Sequence, residues 1–212
     1  MPLTPRALGI AEFFFILAMT RDATRCSNSS QPPRSWILKR GTLTVICGPM
    51  YAGKTSRLLD MLDKASVAFK PEIDTRYDAT QIASHDGKRG KAFPIKCDAS
   101  GVDALLNISK SYATVAIDEC QFLSSSFVLA IQAIQSRGSR VICSGLDLDY
   151  LGQPFGIMPT LLCLADSVIK CTALCSCGSL ARRTYKTSDS RELIDVGAKD
   201  KYAPRCLDCY YK

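Results

Sequence analysis

Nothing in the sequence is apolar for long enough to cross a bilayer. The best run, ALGIAEFFFILAMT, is interrupted by Glu12 and falls short of the roughly 20 residues a spanning helix needs. No internal repeat is visible, which sets aside solenoids and arrays. An acidic excess is also missing. The formal net charge is +7, which favours anionic ligands, either nucleotides or nucleic acid, without choosing between them. The eleven cysteines are an odd number, so they lack the even count of a small disulfide framework. Cys47, Cys97, Cys120, Cys143 and Cys163 stand singly in apolar or mixed segments. Cys171, Cys175, Cys177, Cys206 and Cys209 crowd towards the C-terminus, a distribution that suits a metal site in a reducing compartment.

What is present reads as an ordinary globular protein. Hydrophobic residues make up 47% of the chain and charged ones 22%, and 212 residues suit one domain with a small appendage. The first 39 residues read as an N-terminal extension, with SNSSQPPRS as a flexible linker. Residues 42–47 form a β-branched-rich run, a buried strand. A helix is expected from Lys54 to about Lys64, since Leu58, Leu59, Leu62 and Ala65 recur at helical spacing. ATVAIDE and SRVICSGLD are two further apolar runs that end in acids. Between them SSFVLAIQAIQSRG has helical periodicity and stops at Gly138. Strands alternating with helices imply a parallel sheet, so residues 40–169 are expected to form a P-loop NTPase-like α/β domain. Ligands bind such sheets beyond the carboxyl ends of the strands, where Gly48, Asp118 and Asp147 all fall. Residues 170–212 read as a separate, cysteine-rich lobe.

GPMYAGKT follows the first strand and opens the first helix. The pattern G-x-x-x-x-G-K-[ST] in that context is a phosphate-binding loop. Backbone N–H groups at a helix start point at one place and the helix dipole adds positive charge there. Gly48, Pro49, Met50, Tyr51, Ala52 and Gly53 would cradle the phosphates of ATP, Lys54 would reach the β- and γ-phosphates, and Thr55 would ligate Mg²⁺. A loop of this kind finds no ATP outside the cell, so the expected location is cytoplasmic. Asp118 and Glu119 supply the carboxylates that phosphoryl transfer requires near the metal and the attacking hydroxyl. Read without the loop, the same pair is equally a helix cap.

With these pieces on the page the chain resembles the type II thymidine kinases. GPMYAGKT, FKPEIDTRY, SHDGK, IDECQFL, GLDLDYLGQPFG, LADSVIK, GAKDKY and CLDCYYK occur in that family's order over residues 40–212. The resemblance implies transfer of the ATP γ-phosphate to the 5′-hydroxyl of thymidine. It assigns Glu119 as the base and Arg76 as a stabiliser of the moving phosphoryl, with Asp74, Asp118 and Gln121 on the nucleotide and Mg²⁺ side. Met50, Phe122, Leu146 and Tyr150 match the nucleoside pocket. Leu193, Ile194, Asp195, Val196 and Gly197 match a loop that reads the base through its backbone, and Tyr202 closes it. ARRTYK reads as a strand of the hairpin that carries that loop. The resemblance also implies a homotetramer, and no nucleic-acid or membrane partner.

Cys206 and Cys209, with a second cysteine group about thirty residues earlier, have the separation of a structural zinc site with four thiolates. The family's first pair is C-x-x-C followed by glycine, whereas here it is Cys175-Ser176-Cys177-Gly178. Cys175 and Cys177 are the expected ligands, and Cys171 is the alternative partner at C-x₃-C spacing. A second departure is the short interval between the first helix and Lys70. It predicts a truncated strand beside the phosphate loop and a loosened Asp74 and Arg76. Two other readings are therefore kept, a degenerate kinase of reduced activity and an ATP-binding zinc protein that binds nucleic acid.

Overall fold

A computed structural model describes residues 40–74, 80–84, 87–187 and 201–212. The N-terminal extension, Arg76 and the segment Leu193 to Gly197 lie outside them. Six parallel strands form the central sheet: β1 (Leu43–Cys47), β2 (Ser66–Pro71), β5 (Phe93–Ile95), β6 (Thr114–Ile117), β7 (Arg140–Gly145) and β8 (Ser167–Lys170), in the spatial order β5-β2-β6-β7-β1-β8. Every residue of β1 and β6 is buried. That is why these strands read as unbroken apolar runs, since a parallel sheet is covered on both faces.

Alternation along β1 divides its side chains between two layers. Leu43, Val45 and Cys47 join a cluster with Leu105 of α2 (Ala99–Ile108), Phe127, Ile131 and Ile134 of α3 (Ser126–Ser136), and Met158 and Leu161 of α4 (Met158–Leu164). Ile46 faces the other way and packs with Leu58 of α1 (Lys54–Asp60) and Ile82 of β3 (Gln81–Ala83), which pairs with β4 (Arg89–Lys91). Burial of Phe127, Ala130, Ile131 and Ile134 at i, i+3, i+4 and i+7 is the amphipathic stripe that the SSFVLAIQAIQSRG periodicity requires. Asp98 caps α2, accepting from Ser100 N at 2.9 Å, an interaction of about 1 kcal/mol. Among the described residues no helix is long and apolar enough to cross a membrane.

Two expectations are corrected. The first helix stops at Asp60, not near Lys64. Downstream, the Asp63 carboxylate accepts from Ala65 N and Ser66 Oγ, a local turn that competes with helical hydrogen bonding. The short interval therefore falls on the helix and not on the strand. β2 runs a full six residues, in register with β6 from Ser66 to Phe69 and with β5 from Phe69 to Pro71. Nor is β2 beside the phosphate-loop strand, because β6 and β7 stand between them. A strand inside a sheet cannot shorten without orphaning its neighbours' backbone groups, whereas a surface helix can lose a turn. Asp74, just beyond β2, is buried, within 4.0 Å of the buried Lys70 ammonium.

The last part of the chain holds two small antiparallel pairs. β9 (Ala173–Leu174) pairs with β10 (Leu180–Ala181), and β11 (Arg183–Lys186) with β12 (Tyr202–Arg205). Of the ARRTYK stretch, Arg183–Lys186 thus form a strand of an antiparallel pair, as expected, while Ala181 ends β10. A final turn, α5 (Leu207–Tyr210), begins at Cys206.

Candidate active site

The loop from Gly48 to Gly53 leaves the carboxyl end of β1 and turns directly into α1. Gly48 (φ 139), Tyr51 (φ 65) and Gly53 (φ 71) bend it through left-handed backbone. Left-handed residues in a turn are the backbone conformation from which anion-binding concavities are built. Tyr51 is not a glycine, and holding it there costs about 1–2 kcal/mol. Packing holds it: Tyr51 and Ala52 lie against the cluster of Ala173, Cys175, Ala181 and Cys206. Met50 is tied from the same side, its N–H donating to Thr184 Oγ1 of β11 at 3.0 Å. Lys54 is buried, and its ammonium donates to the Pro49 carbonyl at 2.7 Å.

Thr55, the second residue of α1, donates from Oγ1 to Asp118 Oδ2 at 3.0 Å. This contact joins the loop to the end of β6. The next residue, Glu119, is buried and left-handed (φ 53), a strained setting for a side chain with a Cβ. Its carboxylate accepts from Gln121 Nε2, and Gln121 Oε1 accepts from Leu146 N at 2.9 Å. Asp147, the third acid at a strand end, is met by Lys170 at 3.0 Å.

Around this centre the half-buried Phe122 stacks edge-on against Phe155 at 5.8 Å. Tyr150 sits in a tight loop pinned by the Asp149 carboxylate, which accepts from Leu151 N and Gln153 N. The Tyr150 carbonyl accepts from Tyr210 Oη at 2.7 Å. Lys186 lies 5.0 Å over the Tyr150 ring and 5.8 Å over that of Tyr202, so one ammonium brings the two tyrosines together.

The four thiols of Cys175, Cys177, Cys206 and Cys209 lie within 4.8 Å of one another. A tetrahedral ion with metal–sulfur bonds near 2.3 Å needs sulfurs about 3.8 Å apart, and the Cys177 and Cys206 sulfurs are 3.6 Å apart. Backbone N–H groups of Cys177 and Cys206 directed at the Cys175 sulfur hold its thiol down to about 6, and Ser179 lowers that of Cys177, while the crowded neighbouring thiols push Cys209 up to about 12. The alternative, Cys171, stands apart. It packs in the sheet's second cluster, and its N–H donates to the Cys47 carbonyl at 2.7 Å.

Sequence reasoning missed Thr184 and Lys186. Both face inward on β11, where burial alternates with period two, but these inward positions are polar, so hydropathy gives no signal for them. It also gave Gln121 no contact with Glu119.

A parallel α/β sheet with this loop at one strand end and a carboxylate pair at another defines a phosphoryl-transferring enzyme of the P-loop-like class. The sequence profile described as "Thymidine kinase" matches residues 41–210. The chain belongs to the thymidine kinase family. Thymidine kinases from two strains of Porphyromonas gingivalis are each 39% identical to it over 182 residues, covering 82% of this chain and 87% of theirs. Among solved structures, the large terminase of a thermophilic bacteriophage aligns with 63% of this chain and 41% of its own, at a TM-score of 0.38 and 16% identity, too slight a likeness to bear on function.

Proposed function

We propose that this chain transfers the γ-phosphoryl group of ATP to the 5′-hydroxyl of thymidine, giving the monophosphate for pyrimidine deoxynucleotide salvage, with deoxyuridine as a second acceptor. The observation that carries the reading is the 3.0 Å contact between Thr55 and Asp118, with Glu119 next in the chain. It brings the loop that would bind the phosphates to the carboxylates that would manage charge and proton.

The roles follow from the chemistry of each group. The loop from Gly48 to Gly53 would present backbone N–H groups to the phosphates, except at Pro49, which has none, and Met50, whose N–H is given to Thr184, and the Lys54 ammonium would exchange the Pro49 carbonyl for phosphate oxygens. Thr55 and Asp118 are hard oxygen donors that fit Mg²⁺, with Asp74 as the further residue assigned to the nucleotide side. Bound Mg²⁺ would neutralise charge on the phosphate oxygens. Glu119 would take the proton of the 5′-hydroxyl, and Arg76 would stabilise the moving phosphoryl. Met50, Phe122, Leu146 and Tyr150 would form an apolar-walled slot for a pyrimidine. Leu193 to Gly197 would read its edge, with Tyr202 beside them. Zinc held by Cys175, Cys177, Cys206 and Cys209 would staple the small lobe in place of a core. A cytoplasmic homotetramer completes the proposal.

A nucleoside-panel kinase assay, on the full chain and on a form lacking the first 40 residues, tests it. Phosphate is expected on thymidine and not on purine nucleosides. Glu119→Gln should bind ATP yet lose on the order of 10²–10⁴-fold in rate. Tight, salt-sensitive DNA binding without turnover would overturn the reading.

A further inference from the structure

Gln121 sits in the turn Cys120–Phe122 after β6 and is only 3% exposed. A buried carboxamide must satisfy both of its ends. Here Oε1 accepts from Leu146 N at 2.9 Å, at the end of β7, and Nε2 donates to Glu119 Oε2. The orientation is forced, because a backbone N–H can be met only by the oxygen, which turns the NH₂ towards the carboxylate.

The surroundings are shaped to this side chain. A Cβ added at Gly145 would stand 2.6 Å from Gln121 Oε1 and 2.7 Å from Met158 Sδ. One added at Gly156, whose φ is 53, would stand 2.0 Å from the Gln121 carbonyl oxygen. Gly145, ending β7, thus leaves room for the Gln121 side chain, and Gly156, closing GLDLDYLGQPFG, leaves room for its backbone.

We propose that Gln121 is a positioning residue for the phosphoryl transfer. Through its NH₂ it fixes the Glu119 carboxylate, and through its oxygen it locks that carboxylate to the backbone of Leu146, a wall of the nucleoside slot. The proposal rests on the reading of Glu119 as the base. The lock matters because a base on a strained, left-handed residue has no regular helix or strand to orient it. A misplacement of about 1 Å costs on the order of 100-fold in rate.

Four variants test the lock. Gln121→Glu has the same shape and keeps an oxygen for Leu146 N–H, but it cannot donate to Glu119 once ionised. Gln121→Met is uncharged and of similar length, and removes both bonds. Each should lower kcat by on the order of 10- to 100-fold with the KM for ATP near its wild-type value. Gly145→Ala leaves Gln121 itself unchanged. The two atoms it meets most closely are the far ends of flexible side chains, with the Cys120 backbone nitrogen next at 3.3 Å, so the carboxamide is pushed aside and kcat should again fall. In a Glu119→Gln background, Gln121→Met should add no further loss, since residues acting as one unit are not additive. Wild-type kcat in Gln121→Glu or in Gly145→Ala would overturn the proposal. So would an equal loss from Gln121→Met with and without Glu119. If Glu119→Gln itself turns over normally, it is the assignment of the base that fails.

Discussion

The backbone N–H of Met50 and the hydroxyl of Thr184 share a 3.0 Å hydrogen bond across 134 residues of chain. The loop from Gly48 to Gly53 is therefore held from outside the sheet, by a strand pair in the cysteine-bearing part of the protein. Thr184→Val keeps the β-branched shape and removes the acceptor. The KM for ATP should rise about 5- to 30-fold, the equivalent of 1–2 kcal/mol. Thr184→Ser should restore it. Steady-state ATP titration decides, and an unchanged KM in the valine variant would detach the strand pair from nucleotide binding.

Lys54 is buried and bonded to the Pro49 carbonyl at 2.7 Å. Lys54→Ala removes the one side-chain cation of the loop, and kcat/KM for ATP should fall on the order of 10²–10³-fold. Ordinary ATP dependence in this variant would refute the loop's role.

The cysteine cluster packs directly against Tyr51 and Ala52. Metal analysis should find about one zinc per chain if four thiolates hold one ion. Chelation should lower the melting temperature and weaken ATP binding in step with metal release. Cys177→Ser should do both without chelator. A metal-free, fully folded protein removes the metal site, and metal loss with full ATP affinity removes its coupling to the loop.

Cys47 ends β1 beneath the loop. Burial pushes its thiol from 9.0 up to about 11, and the Asp147 charge adds to the effect. The native state thus holds this proton more tightly than the unfolded chain does. The resulting stability is fully present below pH 9 and is lost as pH rises through about 11, at most about 3 kcal/mol. Urea unfolding between about pH 8 and 11 should show that decline, and Cys47→Ala should make it shallower, with the rest coming from Cys97, Cys120 and Cys171, whose thiols burial also raises. Equal slopes for the two proteins would remove Cys47 as a source.

The parts legible in the sequence are those whose cause is local. LTVIC and TVAI carry their burial in an unbroken apolar run and SSFVLAIQAIQS in its periodicity, while the loop and each cysteine group are short local motifs. What escaped depends on partners distant in the chain. Thr184 and Lys186 matter because β11 lies beside the loop and Tyr150, and the Gln121 contacts need β6 and β7 side by side. The interval before Lys70 was misread for the same reason. Its length is visible, but whether helix or strand absorbs it is decided by the register of β2 against β6 and β5.

The sheet order has a further consequence. β7 lies between β1, which ends in the loop, and β6, which ends in Asp118 and Glu119. The two strands are thus two inter-strand spacings apart, about 10 Å. The middle strand is in effect a ruler, supplying none of the reacting groups and yet setting how far apart the two strand ends stand. Because backbone pairing fixes that span, changes to the loop or to the acids can alter what they grip but leave their separation as it is.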